Sequence, residues 1–297
     1  MKVLNFGSLN LDYVYQVEHF VQPGETLSAM SQSIYPGGKG LNQSIALAKA
    51  GVQVYQAGRF GRGGESLGEL LRKNSVDTSY LQFTEEIQGN AVIQVNREGQ
   101  NCILLFGGSN RCVTAEQVAN TLSCFSAGDY LVLQNEINLL PLIVDKAYEC
   151  CMKIVLNPSP FDEKLKAVDF GKLDWLLCNE LEAEQLSGSA EPKVAWRLLH
   201  EKYPRLNLLV TLGAEGSVAF TEREIVRQAA FPVKAVDTTA AGDTYTGYFI
   251  AGLMENRTLK DCMRRASLAS SISVTRHGAA ASIPTKEEVE KAWEDRA

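Results

Sequence analysis

The 297-residue chain has no apolar run of membrane-spanning length, which excludes a helical integral membrane protein. It has no basic stripe either. With 35 acidic residues against 29 lysines and arginines, the net charge of −6 argues against a nucleic-acid partner. Seven cysteines are present (Cys102, Cys112, Cys124, Cys150, Cys151, Cys178, Cys262), but none forms a CxxC pair or a Cys/His metal spacing. Their odd number and their positions, mostly in apolar runs, predict buried free thiols in a reducing compartment. No signal-peptide core precedes the opening strand pattern Lys2-Val3-Leu4-Asn5-Phe6-Gly7, so a cytoplasmic location is expected. Two nucleotide-binding loops are missing as well. There is no Gly-x4-Gly-Lys-Ser/Thr loop, and the first strand runs into Gly7-Ser8-Leu9-Asn10 rather than a Gly-x-Gly-x-x-Gly turn. A P-loop kinase and a Rossmann dehydrogenase are thereby disfavoured.

What is there is an ordinary globular composition, 45% hydrophobic and 22% charged, on a length suited to one large domain spanning residues 1–297. From about residue 114 helical and strand-like stretches alternate. Helices are expected at 114–124, 138–151, 180–187, 191–203, 244–255, 258–275 and 285–295. Strands are expected at 130–134, 153–157, 174–178, 207–212, 217–220 and 225–231. This alternation predicts a doubly wound, mainly parallel α/β sheet with helices on both faces. Residues 2–7 and 52–57 read as further strands, 41–50 and 66–74 as helices. Half-exposed strands at 8–15, 26–35, 89–96 and 101–106 do not fit the parallel sheet and predict a small inserted β layer.

The stretch Asp237-Thr238-Thr239-Ala240-Ala241-Gly242-Asp243 organises the chain. It follows an apolar, strand-like run, Phe231–Val236, and precedes a helical pattern carrying Tyr245, Tyr248, Phe249 and Leu253. A small-residue turn at a helix N-terminus leaves backbone N–H groups and the positive end of the helix dipole facing an anion. Asp243 would repel a phosphate bound there. Its expected task is to take a proton from a hydroxyl that attacks the phosphate, the alternative being an ordinary N-cap.

Other polar or glycine-rich clusters stand where ligands bind, at helix starts and strand ends. Pro36-Gly37-Gly38-Lys39-Gly40 opens a helix, with Lys39 and Asn42 adding donors about one turn apart. Asn10 and Asp12 share one face of a strand and suit the paired hydroxyls of a sugar. Glu136, Asn179 with Glu182, and Thr211-Leu212-Gly213-Ala214-Glu215-Gly216 each follow a buried strand, the ligand-binding edge of an open α/β sheet. Each alone could be a capped turn; their co-location is the stronger signal.

Gly37-Gly38-Lys39-Gly40-Leu41-Asn42 and Asp237–Asp243, in this order and spacing, resemble the two signatures of the ribokinase-like (PfkB) carbohydrate kinase family. The similarity runs from Asn10 to Pro284. It implies an α/β core with a β-sheet lid that clasps a second subunit as a homodimer, and ATP-dependent phosphorylation of a sugar's primary hydroxyl. By this resemblance Asp243 is the catalytic base and the N–H groups of Ala240, Ala241 and Gly242 form the anion hole. Asn10, Asp12, Gly38, Lys39, Gly40, Asn42 and Glu136 hold the sugar. Asn179, Thr211, Gly213, Glu215, Gly216, Gly242 and Ser267 meet ATP. Asn179 and Glu182 orient Mg2+ through water. Asp237, Thr239, Ser273, Arg276, Gly278 and Ser282 form a K+ loop. Leu41, Gly63-Gly64 and Ser267 depart from the family's usual alanine, acidic residues and histidine. Lys39 with Asn10, Asp12 and Glu136 favours ribose. The alternatives are a nucleoside or hexose kinase, and a non-catalytic sugar-binding protein, which would be expected to have lost Asp243 or the glycines.

Overall fold

The computed structural model describes residues 1–296. In chain order the first part contains β1 (Val3–Phe6), β2 (Asn10–Gln16), β3 (Ser31–Gly37), α1 (Lys39–Lys49), β4 (Val54–Arg62), α2 (Glu65–Lys73), β5 (Asp77–Ile87), β6 (Asn90–Val95) and β7 (Asn101–Phe106). The middle holds α3 (Ala115–Leu122), β8 (Tyr130–Gln134), α4 (Leu140–Glu149), β9 (Lys153–Asn157), β10 (Trp175–Asn179), α5 (Glu180–Ser187) and α6 (Pro192–Lys202). The last part holds β11 (Asn207–Thr211), β12 (Ser217–Phe220), β13 (Ile225–Gln228), α7 (Ala241–Met254), α8 (Leu259–Ser273) and α9 (Lys286–Glu294).

The large sheet has nine strands in the order β13-β12-β11-β10-β9-β8-β1-β4-β5. It is parallel from β11 to β5, with β12 and β13 added antiparallel at one edge. Alternate strand residues point to opposite faces. Val132, Val155, Leu177 and Leu209 therefore pack with α1, α2, α7, α8 and α9 through Ile45, Leu67, Phe249, Leu268 and Val289. Their neighbours Leu131, Ile154, Leu176 and Leu208 pack on the other face with Val118, Ile143, Ala183 and Leu199 of α3 to α6. Each fully buried Leu, Ile, Val or Phe contributes about 1.5–3 kcal/mol, so two continuous apolar layers fix the sheet between its helices. No helix among the described residues is long and apolar enough to cross a membrane.

The second sheet has four strands in the order β3-β2-β6-β7, with β2 and β6 parallel and the other pairs antiparallel. Its outer strand β7 is exposed along its whole length, with Ile103, Leu104, Leu105 and Phe106 uncovered.

Several expected elements differ in detail. The lid strand expected at 26–35 begins only at Ser31, after the turn at Gly24, and the one expected at 8–15 begins at Asn10. The strand expected at 225–231 ends at Gln228, and 231–236 is a loop rather than a strand. Pro232 has no N–H to give a ladder, and the loop is held instead at its far end, where the Val236 and Asp237 N–H groups both donate to the Val274 carbonyl. Strand β5 carries a polar pattern, Asp77-Thr78-Ser79-Tyr80, because it lies at an edge of the sheet, and no strand was expected there. Only Cys178 and Cys262 are buried; the other five free thiols lie wholly or partly at the surface. Cys124, Cys150 and Cys151 fall just past helix ends, where an apolar run in the sequence no longer means a buried one.

Candidate active site

The first βα connection of the parallel sheet delivers Ser8 and Asn10, and the strand ends deliver Glu136 after β8, Asn157 from β9, Asn179 from β10 and Thr211 from β11. The N-termini of α1 and α7 meet above them. Asp243, buried in the first turn of α7, accepts a hydrogen bond from Asn42 Nδ2 on one carboxylate oxygen (3.0 Å) and from Gln43 Nε2 on the other (2.9 Å). Asn42 Oδ1 is buried without a partner.

Ala240 takes a left-handed conformation (φ 59°) at the start of α7, which costs about 1 kcal/mol for a residue with a Cβ. The Ala241 N–H donates to the Thr238 carbonyl (3.2 Å), so the turn itself uses one of the three donors expected to form the anion hole. The N–H groups of Gly242 and Asp243 have no protein acceptor among the described residues. They are two of the orphan donors that make a helix N-terminus attractive to phosphate.

Lys39 is surrounded by carboxylates. Burial works against its charge, but Asp243, Glu136, Glu182 and Asp12 outweigh it and raise its pKa. Burial and the nearby Glu136 carboxylate push Asp12 up to about 7, with Lys39 pulling it back and Asp243 adding to the rise. Its position depends on Gly37: a Cβ there would come within 2.0 Å of the Asp12 carboxylate. Glu136 anchors the glycine loop, accepting from the Ser8 hydroxyl and from the Lys39 N–H (3.0 Å). Gly40 packs against the Gly7–Ser8 backbone, and its N–H donates to Ser8 Oγ (3.2 Å), so it is a packing residue here rather than a free donor. Asn10 is fixed by Asn110, whose Nδ2 donates to Asn10 Oδ1 (2.7 Å).

Two cavities share a wall made by Thr211, Thr238, Ala241, Gly242 and Tyr245. The smaller, about 210 Å³, is lined by Lys39, Asn157, Asn179, Glu182 and the 240–243 turn. The larger, about 460 Å³, is lined by Gly213, Gly216, Phe231, Val233, Ser267 and Val274 and is mostly apolar. Glu215, expected at the nucleotide, is exposed and lines neither, because the short 3-10 turn Gly213–Glu215 points it outward. Asn179 and Glu182 form a reciprocal capping box: Asn179 Oδ1 accepts from the Glu182 N–H (2.8 Å) and Glu182 accepts from the Asn179 N–H (3.0 Å).

Behind the α7 turn, Asp237 ties two loops, accepting from the Thr239 N–H and the Gly278 N–H, each at 2.9 Å. Burial works against its charge, yet the bonds from Thr239 and Gly278 outweigh it and hold its pKa below the usual value. Ser273 and Ser282 bond to each other at 2.8 Å. The Arg276 side chain pairs with Glu288 (2.6 Å) and so brings only its backbone to this loop.

Sequence reading missed Gln43, Asn110, Ser8 and Asn157. The first had a visible signal: Asn42, Gln43 and Ser44 are consecutive polar residues on a helix that is otherwise small and apolar. Asn110 had none, since only the fold brings the 3-10 turn after β7 next to β2.

Comparison with known proteins gives the family and the fold. The model of the pfkB family carbohydrate kinases matches residues 1–286, and the chain belongs to that family. It is 36% identical to the ribokinase of Staphylococcus aureus, over 97% of this chain and 98% of that protein, and 34% identical to that of Haemophilus influenzae, over 95% of each. Its fold matches the crystal structure of ribokinase from Thermotoga maritima with a TM-score of 0.87 at 33% identity, over 99% of each chain. It also matches Arabidopsis thaliana ribokinase complexed with ribose and ATP, with a TM-score of 0.82 at 27% identity, over 98% of this chain and 97% of that one.

Proposed function

We propose that this carbohydrate kinase transfers the γ-phosphoryl group of ATP to the primary hydroxyl of D-ribose, giving D-ribose 5-phosphate. The observation that carries the reading is the pairing of a buried carboxylate, Asp243, with the unpartnered N–H groups of the same helix turn. A proton acceptor and an anion site stand within one turn, as hydroxyl-to-phosphate transfer requires. Asp243 takes the hydroxyl proton as the oxygen attacks. The Gly242 and Asp243 N–H groups meet the phosphate charge, and Lys39 lies between sugar and phosphate as a fixed positive charge. Phosphoryl transfer needs this positioning and charge stabilisation more than covalent chemistry.

Asn10, Asp12 and the unpartnered Asn42 Oδ1 offer hydrogen-bonding groups to the sugar hydroxyls, and Gly38 lets the sugar lie against backbone. The apolar cavity beside Gly213, Gly216 and Ser267 suits the adenosine. Asn179 and Glu182, oxygen-bearing and on the cleft wall, fit an outer contact to Mg2+ through water. That ion supplies neutralisation of the phosphate oxygens when bound. The oxygen-rich loop of Asp237, Thr239, Ser273, Gly278 and Ser282, with the Arg276 backbone, fits a hard monovalent cation, K+. The exposed apolar face of β7 supports pairing of two lids in a homodimer, since β7 is also a free sheet edge.

An ATP-consumption screen over pentoses, hexoses and nucleosides tests the substrate. Ribose is expected to give the highest kcat/KM, and a nucleoside or fructose surpassing it would overturn the assignment.

A further inference from the structure

A chain of buried amides leads from the centre of the large sheet to the Asp243 carboxylate. Gln43 and Gln134 are fully buried. Gln43 Nε2 donates to Asp243 (2.9 Å), and Gln43 Oε1 accepts from Gln134 Nε2 (2.7 Å). Gln134 Nε2 gives its second hydrogen to Asn5 Oδ1 (2.9 Å). Asn5 Nδ2 in turn donates to the Gly40 carbonyl (2.7 Å) and to Ser44 Oγ (2.8 Å). The chain thus starts on β1 and β8, crosses α1 and ends on α7.

Two features set it apart from core filling. Buried polar side chains are costly unless fully bonded, and Gln134 Oε1 has no partner among the described residues. Both of its N–H groups are nevertheless committed. The direction is also uniform: Gln134 donates to the Gln43 carbonyl, and Gln43 donates to the carboxylate. Amides linked this way polarise one another, and a charged acceptor at the end strengthens the last bond.

We infer that Gln43, backed by Gln134 and Asn5, is a positioning residue that fixes the Asp243 carboxylate for proton removal. Gln43 holds one oxygen against the interior while Asn42 holds the other. Asn42 keeps an unpartnered oxygen among the described residues and can turn toward a sugar, whereas Gln43 is fully buried and bonded at both ends, so its bond stays. The rotamer of the base is thereby tied to the rigid sheet rather than to the ligand. This inference rests on the proposed role of Asp243 as the base.

The test uses Gln134→Met, which is close to isosteric and two hydrogen bonds away from the carboxylate. Phosphorylation of ribose is measured in that variant, in Asp243→Asn and in the double variant. Gln134→Met is expected to lower kcat about 10- to 100-fold, the scale of a misplaced group, while leaving KM for ribose and ATP within about twofold. In the Asp243→Asn background the same substitution is expected to change kcat by less than about twofold, since both act through one carboxylate. A folded Gln134→Met enzyme with unchanged kcat would overturn the inference. So would an equal loss in both backgrounds, which marks a merely structural role. Asp243→Asn with near-normal kcat would instead overturn the base reading itself. If Gln134→Met does not fold, Gln43→Met is read by the same criteria.

Discussion

Gly247 of α7 lies against Ala46 of α1 with no room for one more carbon: a Cβ at Gly247 would come within 2.5 Å of the Ala46 Cβ and 2.8 Å of its carbonyl carbon. This close crossing lets two side chains of α1, Asn42 and Gln43, reach across to Asp243. Helix spacing here sets the position of the Asp243 carboxylate. Gly247→Ala is expected to force the helices apart, lowering stability by about 1–3 kcal/mol as overpacking does, and to lower kcat more than it raises either KM. Denaturant unfolding and steady-state rates of the same preparation check both.

Asp243→Asn should keep the fold and sugar binding but lose at least about 10²-fold in kcat, because a positioned base is removed. Ribose binding measured by calorimetry, alongside kcat, separates the two effects.

Asp12 is expected to make sugar use pH-dependent. Its carboxyl is held at about 7 rather than 3.8, so the ionised, hydrogen-bond-accepting form prevails only above about pH 7. kcat/KM for the sugar is expected to fall as pH drops through that value, since this ratio reports groups of the free enzyme. In Asp12→Asn that limb should vanish. Stability moves the other way. The folded pKa lies above the unfolded one, so the folded state holds the extra proton between those two values and loses stability as pH rises through about 7. Asp12→Asn should therefore melt higher than the parent at pH 8.

The loop tied by Asp237 predicts activation by K+. Initial rates at fixed ionic strength should be highest in K+ and lower in Na+ or tetramethylammonium, and Asp237→Ala should lose the difference. Equal rates in all three salts would leave Asp237 with only its two hydrogen bonds to Thr239 and Gly278.

The lid predicts a dimer at micromolar concentration. Leu104 is 71% exposed on the outer strand, and Leu104→Glu should convert the dimer to a monomer by light scattering. A parent chain that is monomeric with full activity would remove the lid from the assembly.

The parallel core was legible because its strands are buried on both faces and read as continuous apolar runs, Leu131–Leu133 or Leu208–Val210. Edge elements were not: β5 is half polar because one side meets no further strand, and the 231–236 loop is apolar because it lines the larger cavity rather than joining the sheet. At the site, Asp243 and the glycine loop carry local patterns. Gln43 and Asn110 matter through partners 200 and 100 residues away, and no local spacing encodes that. Glu215 stands in the expected motif, but it is exposed and lines neither cavity.

Asn10 and Asp12 ride on β2, a strand of the small sheet, whereas Asp243 belongs to a helix packed on the large one. The residues proposed to hold the sugar and the proposed base thus stand on different sheets, which the chain joins at four places: after β1, before α1, between β5 and β6, and after β7. The placement of the small sheet against the large one therefore sets where a sugar held by Asn10 and Asp12 would stand relative to the Asp243 carboxylate. Under the proposed roles, water arriving at the phosphate without a sugar would gain nothing from the groups on β2, so ATP hydrolysis in the absence of sugar is expected to be slow.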